Sequence, residues 1–288
     1  MEEENLINTK MFDYLINKSL YKTISGEIFI VLNKLKPDEN ILYIMKSIIV
    51  KSEEEKNELL NEIKKLKELN SKYLIKIHDY FAEKREKEEI INIIFEDFQE
   101  HKTLEELIYS SYFLTSQNIW RIFIKLLIGI ISFHNHHIII NNLNPQNIFI
   151  DKKNNIKFGG IGNILDFSRE NKDCSLYKNP EFFFEKKTDS KCVMWSLGCI
   201  LYEMFFKKKM FDNSNNIISI NYDLPKGSEE DIKKIIEKLI CKHDNIIEAE
   251  ELLYDHILKK KIIGENLFSE IISNNIKGKK ISFFIFRF

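Results

Sequence analysis

The chain has 288 residues, of which 44% are hydrophobic and 30% charged, enough to fill one large two-lobed domain or two small ones. Its 43 basic and 44 acidic residues leave a formal net charge of −1, which gives no support to a nucleic-acid or membrane-surface partner. Four scattered cysteines without a C-x-x-C pair favour reduced thiols over a zinc site or a disulfide framework. The sequence lacks a signal pattern and an apolar run of membrane-spanning length, so we expect an intracellular protein, cytoplasmic or nuclear.

The first hundred residues predict short β-strands around one amphipathic helix. Strands are indicated by β-branched and aromatic runs bounded by turn residues, and the helix by apolar residues at helical spacing. In chain order, the predicted elements are strands at 27–33 and 40–50, a helix at 52–70, and strands at 74–81 and 90–95 joined by a charged loop at 83–89.

The rest of the chain predicts mainly helices. Residues 104–109 and 117–135 have helical periodicity, and the second segment is apolar on most faces, as a buried central helix would be. Short strands and loops are expected at 138–150 and 155–160, and helices from residue 193 onward. A small β-rich part with one helix, followed by a larger α-helical part, is the α+β pattern.

The segment 133–148 resembles the catalytic loop of the eukaryotic protein kinases, H-R-D-L-x-x-x-N, with Leu143, Pro145 and Asn147 fitting position by position. Further on, Asn179-Pro180-Glu181 is similar to the A-P-E element, and 194–204 to the buried helix that follows it. Ile246 takes the place of the usual arginine partner of Glu181, so we expect this carboxylate to be exposed or paired elsewhere.

The resemblance also covers the first part of the chain. Lys46 matches the lysine of V-A-I-K, Glu62 is the best candidate for its glutamate partner, and Glu96 and Phe98 fall in the hinge. The resemblance implies a two-lobed, α+β kinase-like domain of the serine/threonine type. Its expected limits are about 10–95 for the N-lobe, 96–99 for the hinge and 100–261 for the C-lobe, with a C-terminal extension at 262–288.

Several positions depart from the chemistry that phosphoryl transfer needs. Asn142 stands where the family has its general-base aspartate, and Asn144 where it has a lysine that contacts the transferred phosphate. Gly160 falls at the aspartate of D-F-G, which anchors Mg²⁺, and leaves Asn147 alone as a metal ligand. A competing register would use Asp166 as that aspartate, six residues further along.

The nucleotide site is also altered. If Gly26 is the last glycine of the Gly-rich loop, Tyr21 and Thr23 replace the two earlier ones, and their side chains obstruct backbone approach to phosphates. Ile44 and Phe149 either crowd the adenine space or are ordinary core residues.

These departures predict a pseudokinase: an impaired kinase-like domain that acts as a scaffold or allosteric module for another protein, such as an active kinase or its substrate. Lys46, Glu62, Gly26 and Asn147 would be remnants of a nucleotide site, so ATP is a possible ligand and Mg²⁺ is not expected. The alternative is a divergent serine/threonine kinase with weak transfer, in which Asp166 or Asp151 supplies the missing carboxylate. A third hypothesis is metal-independent nucleotide binding as a switch.

Overall fold

The structure is a computed structural model that describes residues 13–23, 26–35, 41–69, 71–85, 88–97, 102–110, 114–159, 174–186, 188–264 and 267. These residues fall into two compact units. The first unit contains the described residues up to Glu106 and those from Pro145 to Gly159. The second unit contains those from Leu107 to Asn144 and from Cys174 onward.

Two antiparallel sheets form most of the first unit. In the larger sheet the strands stand in the order β1-β2-β3-β5-β4, so β1 and β4 are its edges. Its strands are β1 Tyr14–Thr23, β2 Gly26–Asn33, β3 Leu42–Val50, β4 Ile77–Arg85 and β5 Glu88–Glu96. The smaller sheet contains β6 Lys102–Thr103, β7 Ile148–Ile150 and β8 Ile156–Phe158.

Alternation along the strands gives the larger sheet two faces. On β3, Lys46 points to one side and Met45 and Ser47 to the other, because successive side chains of a strand alternate. We call these sides the Lys46 face and the Met45 face. The Met45 face carries a compact hydrophobic cluster whose members are Tyr14, Val31, Tyr43, Met45, Phe81 and Ile94.

Helix α1 (Glu53–Glu68) packs against β3 and β4 through Leu59, Ile63 and Leu66. It begins where the sequence predicts, because the Ser52 side chain accepts a hydrogen bond of 3.1 Å from the Glu55 amide. Three glutamates in its first turn complement the positive end of the helix dipole.

The described part of the second unit is helical, and helix α2 (Leu104–Tyr109) begins in the first unit and ends in the second. Its helices are α3 Ser116–His134, α4 Pro180–Glu185, α5 Ser190–Phe206, α6 Ser214–Ile218, α7 Glu230–Leu239, α8 Ala249–Leu253 and α9 His256–Gly264. By length and composition α3 could cross a membrane, but 72% of its apolar window is buried inside the protein. That burial is typical of a central core helix, as the sequence predicts.

The predicted α+β, two-lobed kinase-like fold class is confirmed. Two local predictions were wrong or incomplete: β1 was not predicted, and the supposed loop at 83–89 is largely the paired ends of β4 and β5. Strand β1 is an edge strand with most of its side chains exposed, so it lacks the apolar alternation of a buried strand. The predicted domain limits remain predictions.

Candidate functional site

Lys46 lies at the centre of β3 and is the best-buried charged residue of the predicted site. Its side chain is 0% exposed, and it stands between Ile28 of β2 and Ile93 of β5 in the strand register. A buried ammonium group is costly unless it has hydrogen-bonding or oppositely charged partners. The sheet therefore holds a buried cation on its Lys46 face, where the sequence predicts the nucleotide-site lysine.

Glu62 lies on α1, half-buried and near enough to Lys46 for the lysine charge to act on it. Burial raises the pKa of Glu62 to about 7, and the opposing attraction of Lys46 and Lys65 is too weak to reverse that rise. Burial therefore acts on the Glu62 carboxyl group more strongly than the neighbouring ammonium groups do.

The hairpin between β1 and β2 brings Thr23 directly opposite Gly26. A Cβ atom on Gly26 would lie 2.3 Å from the carbonyl oxygen of Ser47, so the close approach of β3 requires glycine here. The Thr23 hydroxyl donates to the Gly26 carbonyl at 2.9 Å, and Thr23 is only 4% exposed. The packing of β2 against β3 thus requires glycine at position 26, and the threonine that stands opposite it is buried.

Ile44 and Phe149, which the sequence left between two interpretations, are 1% and 4% exposed. Ile44 stands between Ile30 and Phe95 in the register of the larger sheet, and Phe149 pairs with Thr103 and Lys157 in the smaller one. Both are therefore positioned by regular strand pairing within the first unit.

Glu96, assigned to the hinge, ends β5 and ties it to other parts of the first unit. Its carboxylate accepts hydrogen bonds from the Lys76 amide at 2.9 Å and from the Lys157 Nζ of β8 at 2.6 Å. The same ammonium donates to the Leu74 carbonyl at 3.1 Å. The Glu96 side chain thus connects the two sheets, while Phe98 lies outside the described residues.

The catalytic-loop amides of the second unit bind each other. Asn144 is 1% exposed, and its Nδ2 donates to both the main-chain oxygen and the Oδ1 of Asn142, each at 3.2 Å. Next to them, the Lys178 ammonium donates to the Asn141 carbonyl. The loop therefore holds two hydrogen-bonded amides at the positions where the sequence predicts the loss of the base and of the phosphate-contacting lysine.

Asn147 belongs to the first unit, where it closes the short 3₁₀ turn Pro145–Asn147 and is 0% exposed. Its carbonyl accepts from the Gly159 amide at 2.6 Å, which holds the turn to the end of β8. Asp151, one of two residues that could supply the missing carboxylate, accepts hydrogen bonds from Lys153 and Asn155 at 2.8 Å through both oxygens. Asp151 therefore organises the turn between β7 and β8, and Gly160 and Asp166 lie outside the described residues.

We expected the Glu181 carboxylate to be exposed or paired with a residue other than the usual arginine. It accepts a hydrogen bond of 2.6 Å from the Nδ2 of the neighbouring Asn179. The sequence did not predict the buried carboxylate of Glu203 in α5, which is 0% exposed. The Tyr177 and Tyr109 hydroxyls donate to it at 2.5 and 2.7 Å. No local pattern could have revealed this network, because its tyrosines stand 26 and 94 residues away from Glu203.

One group of side chains in the second unit has the atoms of a metal site. Ligand atoms of Asp189, Cys192 and His243 lie within 4.8 Å of one another. Asp189, however, already caps α5 by accepting from the Cys192 amide, and it contacts His243 Nε2 at 3.0 Å. Burial raises the pKa of the Cys192 thiol to about 11, which disfavours the thiolate that binds metals. These contacts are typical of a capped helix end rather than of a metal centre.

Curated relatives of the chain are protein kinases. It is 25% identical over 236 residues to serine/threonine-protein kinase nekl-2 of Caenorhabditis elegans, covering 74% of this chain and 65% of that protein. It is 25% identical over 277 residues to calcium-dependent protein kinase 4 of Plasmodium falciparum, covering 89% of this chain and 51% of that protein. Serine/threonine-protein kinase PKH1 of Saccharomyces cerevisiae is 25% identical over 172 residues, which is 51% of this chain and 21% of that protein.

The chain thus spans about two-thirds or less of the length of these relatives. The sequence model of the protein kinase domain matches residues 24–270, which is most of the chain and begins just after Tyr21 and Thr23. The chain belongs to the protein kinase domain family.

Proposed function

We propose that this chain is a pseudokinase, a kinase-like domain that transfers little or no phosphate and acts by binding another protein as a scaffold or allosteric regulator. The observation that supports it best is the pair Asn142 and Asn144. Asn142 occupies the base position of the family, and an amide cannot take up a proton at neutral pH. Its Oδ1 already accepts a hydrogen bond from Asn144, and losing a positioned base typically slows a reaction roughly 10²- to 10⁴-fold.

Metal binding is the second support for this proposal. Mg²⁺ prefers carboxylate oxygens beside the phosphates, and the two family positions that hold it carry Asn147 and Gly160 in this chain. Asn147 matches the family but its side chain is completely buried, and Gly160 has no side chain to replace the missing carboxylate. We infer that these residues do not fit Mg²⁺, so any ATP bound beside Lys46 would lack the cation that neutralises the developing charge.

The proposal is tested by titrating the purified chain with ATP, with and without MgCl₂, while its thermal unfolding is followed. We expect no magnesium-dependent rise in Tm and no label transferred to itself or to a generic basic substrate. A rise in Tm that grows with ATP only when Mg²⁺ is present would contradict the proposal, because a ligand that binds the folded state stabilises it.

The matched variants are Lys46→Met and the double change Asn142→Asp with Gly160→Asp. The first would remove any residual transfer that belongs to this site. The second returns the two missing carboxylates, and a gain of label in it alone would assign the inactivity to these two positions.

A divergent serine/threonine kinase is the second candidate, and the retention of a fully buried Lys46 favours it. Two curated relatives of the chain carry the words serine/threonine-protein kinase in their names. Under this hypothesis the unmodified chain autophosphorylates, and Lys46→Met abolishes the signal. If the purified chain carries no label after incubation with ATP and either Mg²⁺ or Mn²⁺, the hypothesis of an active kinase is excluded. ATP binding that survives a chelator but is lost in Lys46→Met would instead favour a metal-independent nucleotide switch.

A further inference from the structure

A cavity of about 320 Å³ opens on the Met45 face of the larger sheet, within the first unit. Lys46 points to the opposite face of the same strand, so this cavity is separate from the residues assigned to a nucleotide. Its volume lies at the lower end of the range of small-molecule sites, roughly 300–1,000 Å³. The cavity therefore suits a small ligand rather than a large cofactor.

One side of the cavity is aromatic. The rings of Tyr14 and Phe81 stack with their centroids 5.9 Å apart and an angle of 9° between their planes. Phe29 and Met45 line the cavity beside them, and Phe29 packs against the hydrophobic cluster to which the other three belong. Such a surface favours an aromatic ligand over a saturated one, because offset and edge-to-face ring pairs add to the gain from burying apolar area.

A buried side-chain amide lies on another side of the cavity. Asn92 is a lining residue but only 2% exposed, and its Oδ1 accepts a hydrogen bond of 2.5 Å from the hydroxyl of its cross-strand neighbour Ser47. Its Nδ2 contacts a carboxylate oxygen of Glu83 at 3.5 Å. A carboxamide has two donor hydrogens and two acceptor lone pairs, and among the described residues these contacts use one of each. Asn92 can therefore donate one further hydrogen bond and accept another.

The charged side chains around the cavity favour neither a cation nor an anion. Glu27 stands directly opposite Lys22 in the register of β1 and β2, and Glu88 stands opposite Arg85 in the register of β4 and β5. Cross-strand pairs of opposite charge stabilise a sheet, so both carboxylates have basic neighbours within it. A charged ligand would lose its hydration on entering the cavity, whereas a neutral ligand avoids that cost.

We propose that this cavity binds a neutral aromatic carboxamide, with its ring against Phe29, Met45 and Phe81 and its amide hydrogen-bonded to the amide of Asn92. A primary amide is the matching group because it carries both a donor and an acceptor without a charge. Met45 and Ser47 flank Lys46 on β3, so a bound amide contacts the lysine-bearing strand from its other side. The proposal does not depend on whether the chain transfers phosphate.

The test follows the ¹⁵N-labelled chain by NMR with three probes of the same shape that differ in charge: benzamide, benzoate and the benzamidinium ion. We expect benzamide to shift the amide signals of Met45, Ser47 and Asn92 and to bind roughly tenfold more tightly than either ion. Acetamide, which keeps the amide but has no ring, should also bind roughly tenfold more weakly than benzamide.

Three results would overturn the proposal. The first is an ion, or acetamide, that binds as tightly as benzamide. The second is a set of benzamide-induced shifts confined to residues outside the cavity, and the third is the absence of any shift as the benzamide concentration is raised.

Two variants make the same chemical change in different places. Asn92→Leu removes the donor and the acceptor at nearly constant volume, and it should weaken benzamide binding roughly tenfold. Asn61→Leu, on the exposed surface of α1, should leave that binding unchanged. If Asn92→Leu has a Tm that shows it to be folded and still binds benzamide as tightly as the unmodified chain, the proposed recognition by Asn92 is wrong. The ranking of the probes on the unmodified chain decides the proposal even where Asn92→Leu does not fold.

Discussion

At the residue scale, the carboxylate of Glu62 should destabilise the folded protein at neutral and alkaline pH. Its pKa is raised from 4.5 to about 7 by burial, so the folded state holds the proton more tightly than the unfolded state. The resulting stabilisation is fully present below pH 4.5 and is lost as the pH rises to about 7. Glu62→Gln should therefore raise the free energy of unfolding by about 1 kcal/mol at pH 8, after allowance for solvent screening, and leave it nearly unchanged at pH 4.

Urea unfolding at the two pH values measures this difference. Glu58→Gln is the control, since it makes the same change at an exposed position of the same helix. A loss of stability in Glu62→Gln at pH 8 would mean that the attraction of Lys46 outweighs the cost of burial, and that the two residues form a stabilising ion pair.

Local motifs predicted which residues of the site to examine, but not their partners. Lys46 and Gly26 were identified from their neighbours in the sequence. The contact of the Glu96 carboxylate with Lys157 joins residues 61 positions apart, and the hydrogen bond between the Asn142 and Asn144 side chains depends on the shape of a loop. Such contacts follow from the fold of the whole unit, which short patterns do not encode.

At the scale of elements, helix α5 depends on the buried carboxylate of Glu203. Tyr177→Phe removes a donor at 2.5 Å and leaves a desolvated oxygen poorly satisfied, so we expect a loss of about 2 kcal/mol in the free energy of unfolding. Burial and the neighbouring Glu203 charge raise the pKa of Tyr177 well above its usual value, so this donor keeps its proton at any working pH. Urea unfolding at pH 7 measures the loss.

Tyr109→Phe serves as the comparison, because Tyr109 donates to the other oxygen of the same carboxylate but is 50% exposed. Water can replace its hydroxyl, so its removal should cost about 1 kcal/mol or less. Equal losses in the two variants would show that burial does not govern the strength of this network.

Elements with a buried apolar face could be predicted from the sequence to within a few residues, as the predicted helices at 52–70 and 117–135 show against Glu53–Glu68 and Ser116–His134. Strand β1 could not, because its exposed side chains carry no periodic signal and its position is set by main-chain pairing with β2. The charged residues at 83–89 suggested a loop because they also lack apolar alternation. In the structure most of them belong to the paired ends of β4 and β5, where side chains face solvent.

At the scale of the whole molecule, the described residues fall into two compact units, and one glycine in each can be used to destabilise that unit. A Cβ on Gly26 would lie 2.3 Å from the Ser47 carbonyl oxygen, and one on Gly198 of α5 would lie 2.8 Å from Leu239 Cβ. Overpacking typically costs about 1–3 kcal/mol, while alanine gains about 1 kcal/mol over glycine inside a helix. Gly26→Ala should therefore cost about 2 kcal/mol or more, and Gly198→Ala about 1 kcal/mol.

Both tryptophans of the chain, Trp120 and Trp195, lie in the second unit, so tryptophan fluorescence reports that unit alone. We expect Gly198→Ala to lower the urea midpoint seen by fluorescence. Gly26→Ala should leave that midpoint unchanged but increase hydrogen exchange in β2 and β3, because locally cooperative units open separately. If Gly26→Ala lowers the fluorescence midpoint by its full cost, the two units unfold as one cooperative body, and a ligand bound beside Lys46 would then stabilise the entire chain.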